Sequence, residues 1–132
     1  PDVISYYEIP QNLSVITVGA DGSAAKTDGG FYDVAKFETR DKYAAFLRGN
    51  NAYSEITGSG SGNLLIVKDS YANSFVPFLV DDYAKIGIVD FRANTDKLDA
   101  IMEKGSYDKV LFLYSFSGFC DDGFFASRIA NA

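Results

Sequence analysis

The chain contains no histidine and no tryptophan, a single cysteine (Cys120), a single methionine and three prolines in 132 residues. Without histidine, no serine or cysteine here can be activated by an imidazole of the same polypeptide. A lone cysteine excludes an internal disulfide, and with no histidine beside it a Cys/His zinc site as well. The redox compartment stays open, because exported bacterial domains often lack disulfides too. No apolar run approaches the ~20 residues of a membrane-spanning helix. The acidic opening, Pro1-Asp2, lacks the basic region of a signal peptide. The chain begins without methionine, which reads as a mature, trimmed or excised piece of a longer product. Basic charge is scarce too: 12 Lys and Arg face 18 Asp and Glu, for a net charge of −6. That balance repels phosphate backbones and anionic lipid, so nucleic acid and membrane partners are disfavoured.

What is present is apolar and aromatic. Hydrophobic residues make up 47% of the chain, with 11 Phe and 9 Tyr. A chain of this length buries roughly two thirds of its unfolded surface in one core. Residues 1–30 read as an extended or hairpin lead-in: residues 13–18 are β-rich, Asp21-Gly22 is a turn signal, and residues 24–27 can return as a strand. Residues 31–132 read as one α/β domain. After the break at Asp28-Gly29-Gly30, residues 32–48 suit one or two short helices ended by Gly49. A strand at 53–57 precedes Gly58-Ser59-Gly60-Ser61-Gly62, read as a flexible turn or surface loop. Strands at 64–67, 86–91 and 109–114 then alternate with helices at 70–83 and 95–104, and a helix at 121–131, capped by Asp121 or Asp122, ends the chain. Such alternation predicts a parallel sheet covered on both faces.

The densest chemistry lies where the run at 64–67 stops and a helical pattern starts at once. Ser70 there stands at a strand-to-helix turn, where free N–H groups of a helix start surround a hydroxyl, as acyl-transfer chemistry requires. The plain alternative is that Asp69-Ser70 is only a helix N-cap, with Ser70 as a capping residue, worth about 0.5–2 kcal/mol. In open α/β sheets, ligands collect beyond the carboxyl ends of the strands; Ser70, Asp90 with Arg92, and Ser115 with Ser117 all follow such ends. Lys68 orients an anionic or carbonyl group, or is a solvated lysine. Asn73 donates an amide to an oxyanion, or bonds to its own backbone. Asp90 and Arg92 form a buried pair or a carboxylate-binding arginine. Tyr71, Phe75, Phe78, Phe112, Phe116 and Phe119 make an aromatic wall for sugar rings or, at this spacing, are mostly core. Asp81-Asp82 lacks the spaced oxygen ligands of a calcium loop, and the Gly/Ser loop precedes a strand rather than a helix. No metal or cofactor is called for.

Lys68-Asp69-Ser70-Tyr71-Ala72-Asn73, followed by Ile88-Val89-Asp90-Phe91-Arg92, closely resembles the C-terminal half of the bacterial DHHW protein family. That family is similar to the SGNH hydrolases and the alginate O-acetylation proteins, and the likeness runs from about Tyr32 to Leu113. The resemblance implies Ser70 as nucleophile, with its own N–H and either Asn73 or Gly49-Asn50 on the oxyanion. It further implies an Asp and a His supplied upstream in an Asp-x-His-Trp type motif, of which nothing exists here. The sequence departs from the pattern at Asn51, where histidine is common, and at Ser115, where asparagine is. The implied fold is a three-layer α/β/α sandwich of SGNH or flavodoxin-like type, in part or whole, with an added N-terminal hairpin. The implied activity is ester hydrolysis or O-acetyl transfer on envelope or extracellular carbohydrate. An upstream segment or another chain would then complete the sheet and the triad; the competing reading is a non-catalytic structural or carbohydrate-binding domain.

Overall fold

The computed structural model describes residues 3–9, 13–28 and 30–130. Pro1, Asp2, Gly29 of the expected break, and the last two positions of the chain lie outside the described residues. The frame is a six-stranded sheet: β1 (Ser14–Val18), β2 (Ala24–Asp28), β3 (Tyr53–Thr57), β4 (Asn63–Lys68), β5 (Lys85–Val89) and β6 (Lys109–Leu113), in spatial order β2-β1-β3-β5-β4-β6. Among the described residues there are three short α-helices, α1 (Leu98–Gly105) between β5 and β6, and α2 (Phe116–Asp121) and α3 (Phe125–Ile129) after β6.

The expected parallel sheet is corrected to a mixed one. Only β4 with β5 and β4 with β6 run parallel; β1–β2, β1–β3 and β3–β5 are antiparallel. The reason lies in the connections. A turn at 19–23 and a loop at 58–62 are too short to carry a crossover, whereas the segments at 69–84 and 90–108 are long enough to return each strand in parallel. The hairpin forms, with Gly19 N–H on the Ser23 carbonyl at 2.9 Å, and β1 pairs β3, so it continues the same sheet.

β4 and β5 are the uniformly apolar strands, and both are buried on two faces. Their alternation divides the core. Leu64, Ile66, Ile86 and Ile88 point to a cluster with Phe31, Phe46, Leu47, Val76 and Val80. Leu65, Val67 and Val89 point the other way, to Phe91, Ile101 and Tyr107. Each such side chain contributes about 1.5–3 kcal/mol through removal from water.

The first cluster is covered by 3-10 turns rather than by the expected helices. Residues 34–38 and 42–48 form two of them, and the expected helix at 70–83 is two more, Ser70–Ser74 and Val76–Leu79. Pro77 explains the break: it has no N–H for the Asn73 carbonyl, and its ring collides with the preceding turn. The Gly/Ser loop is not a loose one either. Gly58, Ser59, Gly60 and Ser61 donate backbone N–H bonds of 2.9–3.2 Å to residues 80–84, and a Cβ on Gly60 would lie 2.1 Å from the Asp82 carbonyl carbon. The expected final helix at 121–131 is shortened to α3, and an unexpected helix, α2, precedes it. Ser115 starts α2 by accepting the Gly118 N–H, and Asp122 Oδ1 takes the N–H groups of Phe124 and Phe125 at 2.9 and 3.0 Å to start α3.

Gly87 in β5 shows how tightly the second cluster closes. A Cβ there would lie 2.0 Å from the Tyr107 hydroxyl and 2.3 Å from Cζ. Tyr107 is held by a short hydrogen bond to the Tyr53 hydroxyl, which itself donates to Glu55 Oε2 at 2.9 Å. Gly87→Ala is therefore expected to lower unfolding stability by about 1–3 kcal/mol in urea titrations. Gly123→Ala, where a Cβ meets nothing within 4 Å, serves as the control; equal midpoints for the two variants would refute the packing account.

Candidate functional site

The strand order brings the ends of β4, β5 and β6 to one rim. β4 ends on Lys68, and the chain turns at once: Asp69 has extended dihedrals (φ −97°, ψ −175°) and its Oδ1 accepts the Tyr71 N–H at 3.0 Å. Asp69, not Ser70, is thus the N-cap, which corrects the reading of Ser70 as a capping residue. The physical reason is reach: the shorter serine hydroxyl lies one residue inside the turn, where the cap position is already filled. Among the described residues, neither the Ser70 hydroxyl nor its N–H has a hydrogen-bond partner. Ser70 is half-buried and lines an open depression of about 220 Å³ with Tyr71, Arg92, Ser115, Asp121 and Asp122.

Asp69 also reaches β6's end. Its Oδ2 accepts the Ser115 N–H at 2.9 Å and the Ser115 hydroxyl at 2.7 Å, while the Ser115 hydroxyl accepts the Gly118 N–H at 3.0 Å. Gly118 permits this approach, since a Cβ there would lie 2.2 Å from Asp69 Oδ2. Ser115 is therefore the cap of α2 and a wall of the depression.

Behind the serine lies a buried polar cluster. Lys68 Nζ donates to Asn50 Oδ1 at 3.3 Å and stands 3.8 Å from Asp90 Oδ2. Asn73 Nδ2 donates to the same Asn50 oxygen at 3.2 Å and to the Gly49 carbonyl at 3.5 Å. Arg92 closes the cluster with a two-pronged contact, Nε to Asp90 Oδ1 at 2.9 Å and Nη2 to Oδ2 at 2.6 Å. Lys68 and Asn73 are each 1% exposed and Asp90 3%. The Asn73 amide is thus directed inward to the 49–50 loop, away from the depression. That loop is strained: Leu47 and Arg48 have φ of 55°, in the left-handed region, just before Gly49 at 99°. It is held by Arg48 Nη1 on the Gly30 carbonyl at 3.0 Å and Asn51 Nδ2 on the Leu47 carbonyl at 3.0 Å. Strain of this kind, about 1–3 kcal/mol per residue, persists only where surroundings over-determine it.

Burial depresses the Lys68 ammonium to about 8, against the attraction of Asp90. Burial acts to raise the Asp90 carboxyl, and the Arg92 hydrogen bonds together with the Lys68 charge outweigh it, holding Asp90 below its ordinary value. Arg92 is therefore the firmer partner, and Lys68 the marginal charge of the three.

Of the expected site residues, Asn73, Gly49, Asn50, Lys68, Asp90 and Arg92 form the buried cluster, Ser115 bonds to Asp69, and Ser70 lines the depression beside Arg92 and Ser115. Sequence reasoning missed Tyr43, whose hydroxyl donates to the Ser70 carbonyl at 2.8 Å, and Gly118. The Ser115-x-x-Gly118 spacing of a capped turn was the available signal for Gly118. A second cleft of about 240 Å³, lined by Tyr53, Glu55, Ile101 and Lys104 among others, contains none of the expected residues.

Asp90→Ala leaves Lys68 buried without its counter-charge and is expected to destabilise by about 3 kcal/mol. Adding Lys68→Met should recover most of that loss; a double variant no more stable than the single one would contradict the pairing. Lys68 binds its proton more weakly folded than unfolded, so between pH about 8 and about 10.5 the unfolded chain holds the extra proton. Stability relative to Lys68→Met should accordingly rise from pH 8 to pH 10 in thermal melts, and a flat difference would show that Lys68 keeps an ordinary affinity for its proton.

No curated protein matches the sequence. Among solved structures, Bacillus cereus PatB1 superposes with a TM-score of 0.66 at 25% identity, over 79% of this chain and 35% of that one. A form described as PatB1 with sulfonyl adduct gives the same TM-score at 24% identity, covering 36% of that chain. A DHHW family protein from Eubacterium siraeum superposes with a TM-score of 0.68 at 22% identity, over 86% of this chain and 39% of that one. The chain thus spans little more than a third of the length of these structures. The DHHW protein family model matches residues 6–89, starting in the lead-in rather than near Tyr32 and stopping at the end of β5 rather than near Leu113. With 84 of its 132 residues matched (89 − 6 + 1), this chain belongs to the DHHW protein family.

Proposed function

We propose that Ser70 is the nucleophile of an ester hydrolysis or O-acetyl transfer on carbohydrate esters, outside the cell or in its envelope. One observation carries this reading: the cap role belongs to Asp69, which leaves the Ser70 hydroxyl and N–H without internal partners at the mouth of a depression. The Ser70 oxygen attacks the acyl carbon, its proton passes to a histidine base, and the carbonyl electron pair becomes an oxyanion beside the Ser70 N–H. The alkoxide of the sugar leaves with the proton returned by that base, and water or a second hydroxyl then takes the acyl group.

The base is a His-Asp pair from outside this chain, which has no histidine. β6 is an edge strand with its side chains half exposed, so a further segment or chain adding there would complete a partial SGNH-like sandwich and bring that pair to the rim. Lys68, Asn50, Asn73 and Asp90 hold the strand end and the 49–50 loop in place. Arg92, whose side chain is 45% exposed, is the group free to meet a carbonyl or anionic part of the substrate. The sulfonyl adduct of the PatB1 relative is the type of product an activated nucleophile forms, and it agrees with this reading.

In a longer protein that carries the His-Asp segment, Ser70→Ala should abolish labelling by a fluorophosphonate probe and lower turnover by on the order of 10⁴–10⁶. Its stability should change by no more than about 0.5 kcal/mol, since Ser70 is not the cap. Retained turnover in that variant would exclude the esterase reading. The missing histidine favours a second reading, a non-catalytic carbohydrate-binding or structural domain, for which no form of the protein labels at Ser70.

A further inference from the structure

The segment after Ser70 has its polarity reversed. Ala72, Asn73, Val76, Pro77 and Val80 face inward and are buried, as expected of a turn packed on a sheet. The outward face, at i, i+4 and i+7, carries three aromatic rings instead of charged or polar side chains: Tyr71 is 73% exposed, Phe75 44% and Phe78 59%. A solvent-facing aromatic row of this kind marks a contact surface. We propose that Tyr71, Phe75 and Phe78, continued by Tyr7, form a stacking track for a neutral oligosaccharide that delivers its esterified hydroxyl to Ser70.

Continuity with the serine site is the first argument. The depression in front of Ser70 and a neighbouring groove of about 260 Å³ share Asp69, Tyr71 and Ser115, and the groove extends along Phe75 toward Leu113. On the other side, the rings of Phe78 and Tyr7 lie 5.3 Å apart at 34°, beside a hollow of about 470 Å³ that also includes Ser74. The backbone that carries Tyr7 and Tyr71 is also held in place. Tyr32 donates its hydroxyl to the Tyr7 carbonyl at 2.6 Å, and Tyr43 ties the Ser70 and Tyr71 carbonyls at 2.8 and 3.0 Å.

The chemistry of the face selects the occupant. A sugar ring presents an apolar C–H face to the negative face of an aromatic ring and hydroxyls at its edges. Ser74 and the tyrosine hydroxyls supply hydrogen-bonding groups along the same track. No lysine or arginine lines the grooves at Phe75 or at Phe78, and the chain carries −6, which disfavours a polyanion. Seven residues of helical turn span roughly 10–14 Å, the reach of a short oligosaccharide.

The ligand class rests on the carbohydrate-ester reading, but the track is tested by binding alone. The purified chain is titrated with unesterified cello-, chito- and malto-oligosaccharides of increasing length, read by calorimetry and by amide shifts of residues 71–78. At least one series should bind, more tightly with length, and Tyr71→Ala and Phe75→Ala should each weaken it about tenfold. Both positions are exposed, so these variants keep the wild-type melting temperature. Ser70→Ala should bind as wild type, and a longer wild-type protein that carries the His-Asp segment yet is not labelled at Ser70 while the oligosaccharide binds would sink the esterase reading and leave the track standing. No binding by any series, binding unmoved by both variants, or a face covered instead by self-association or by lipid vesicles would overturn the track whatever Ser70 does.

Discussion

The carboxylate of Asp69 is the junction on which the site depends. One oxygen takes the Tyr71 N–H and starts the turn that carries Ser70; the other takes the Ser115 N–H and hydroxyl and fixes the start of α2. Three chain segments, the ends of β4 and β6 and the 3-10 turn, therefore meet on a group that is 3% exposed. A buried carboxylate is tolerable only with such a set of donors, and its three charge-assisted contacts are each worth more than a neutral bond. Because Asp69 performs the capping, the hydroxyl beside it is left available.

The second network has a different logic. Asp90 answers two cations, and its geometry favours Arg92, so Lys68 is held by burial and position more than by charge. Lys68 and Asn73 converge on one oxygen of Asn50, which pins a loop whose backbone is strained at Leu47 and Arg48. The cluster thus supports the strand end from behind, while Ser70, Tyr71 and Arg92 face the solvent side. Inward groups set the geometry and outward groups are placed to meet a ligand.

Exposure in this chain follows position in the sheet. Central β4 and β5 are buried on both faces, whereas β6 at the edge leaves Phe112 43% exposed, and Phe116 in α2 is 87% exposed. The aromatic residues are consequently of two kinds. Phe31, Phe46 and Phe91 close the core, and Tyr71, Phe75 and Phe78 stand outside it. Helical spacing alone reads both kinds as an apolar stripe; the stripe at 71, 75 and 78 is out of phase with the one at 72, 76 and 80 that the sheet covers.

Apolar runs and punctuation in the sequence determined the strands: the continuous hydrophobicity of residues 64–67 and 86–89 admits only a buried position, and Asp21-Gly22 and Gly49 end elements by their backbone freedom. The Asp69-Ser70 turn and its company of Asp90, Arg92 and Ser115 were also legible, since each follows a strand end. Tertiary structure decided which strands become neighbours, and with the connection lengths this sets the sheet's mixed sense. It also decided the collapse of the expected helix into 3-10 turns at Pro77, and the direction of each side chain. Whether Asp69 or Ser70 caps the turn, and whether Asn73 points in or out, depends on contacts from Ser115, Asn50 and Gly49, residues far along the chain. Local propensity does not encode such partners; only packing brings them within hydrogen-bonding distance.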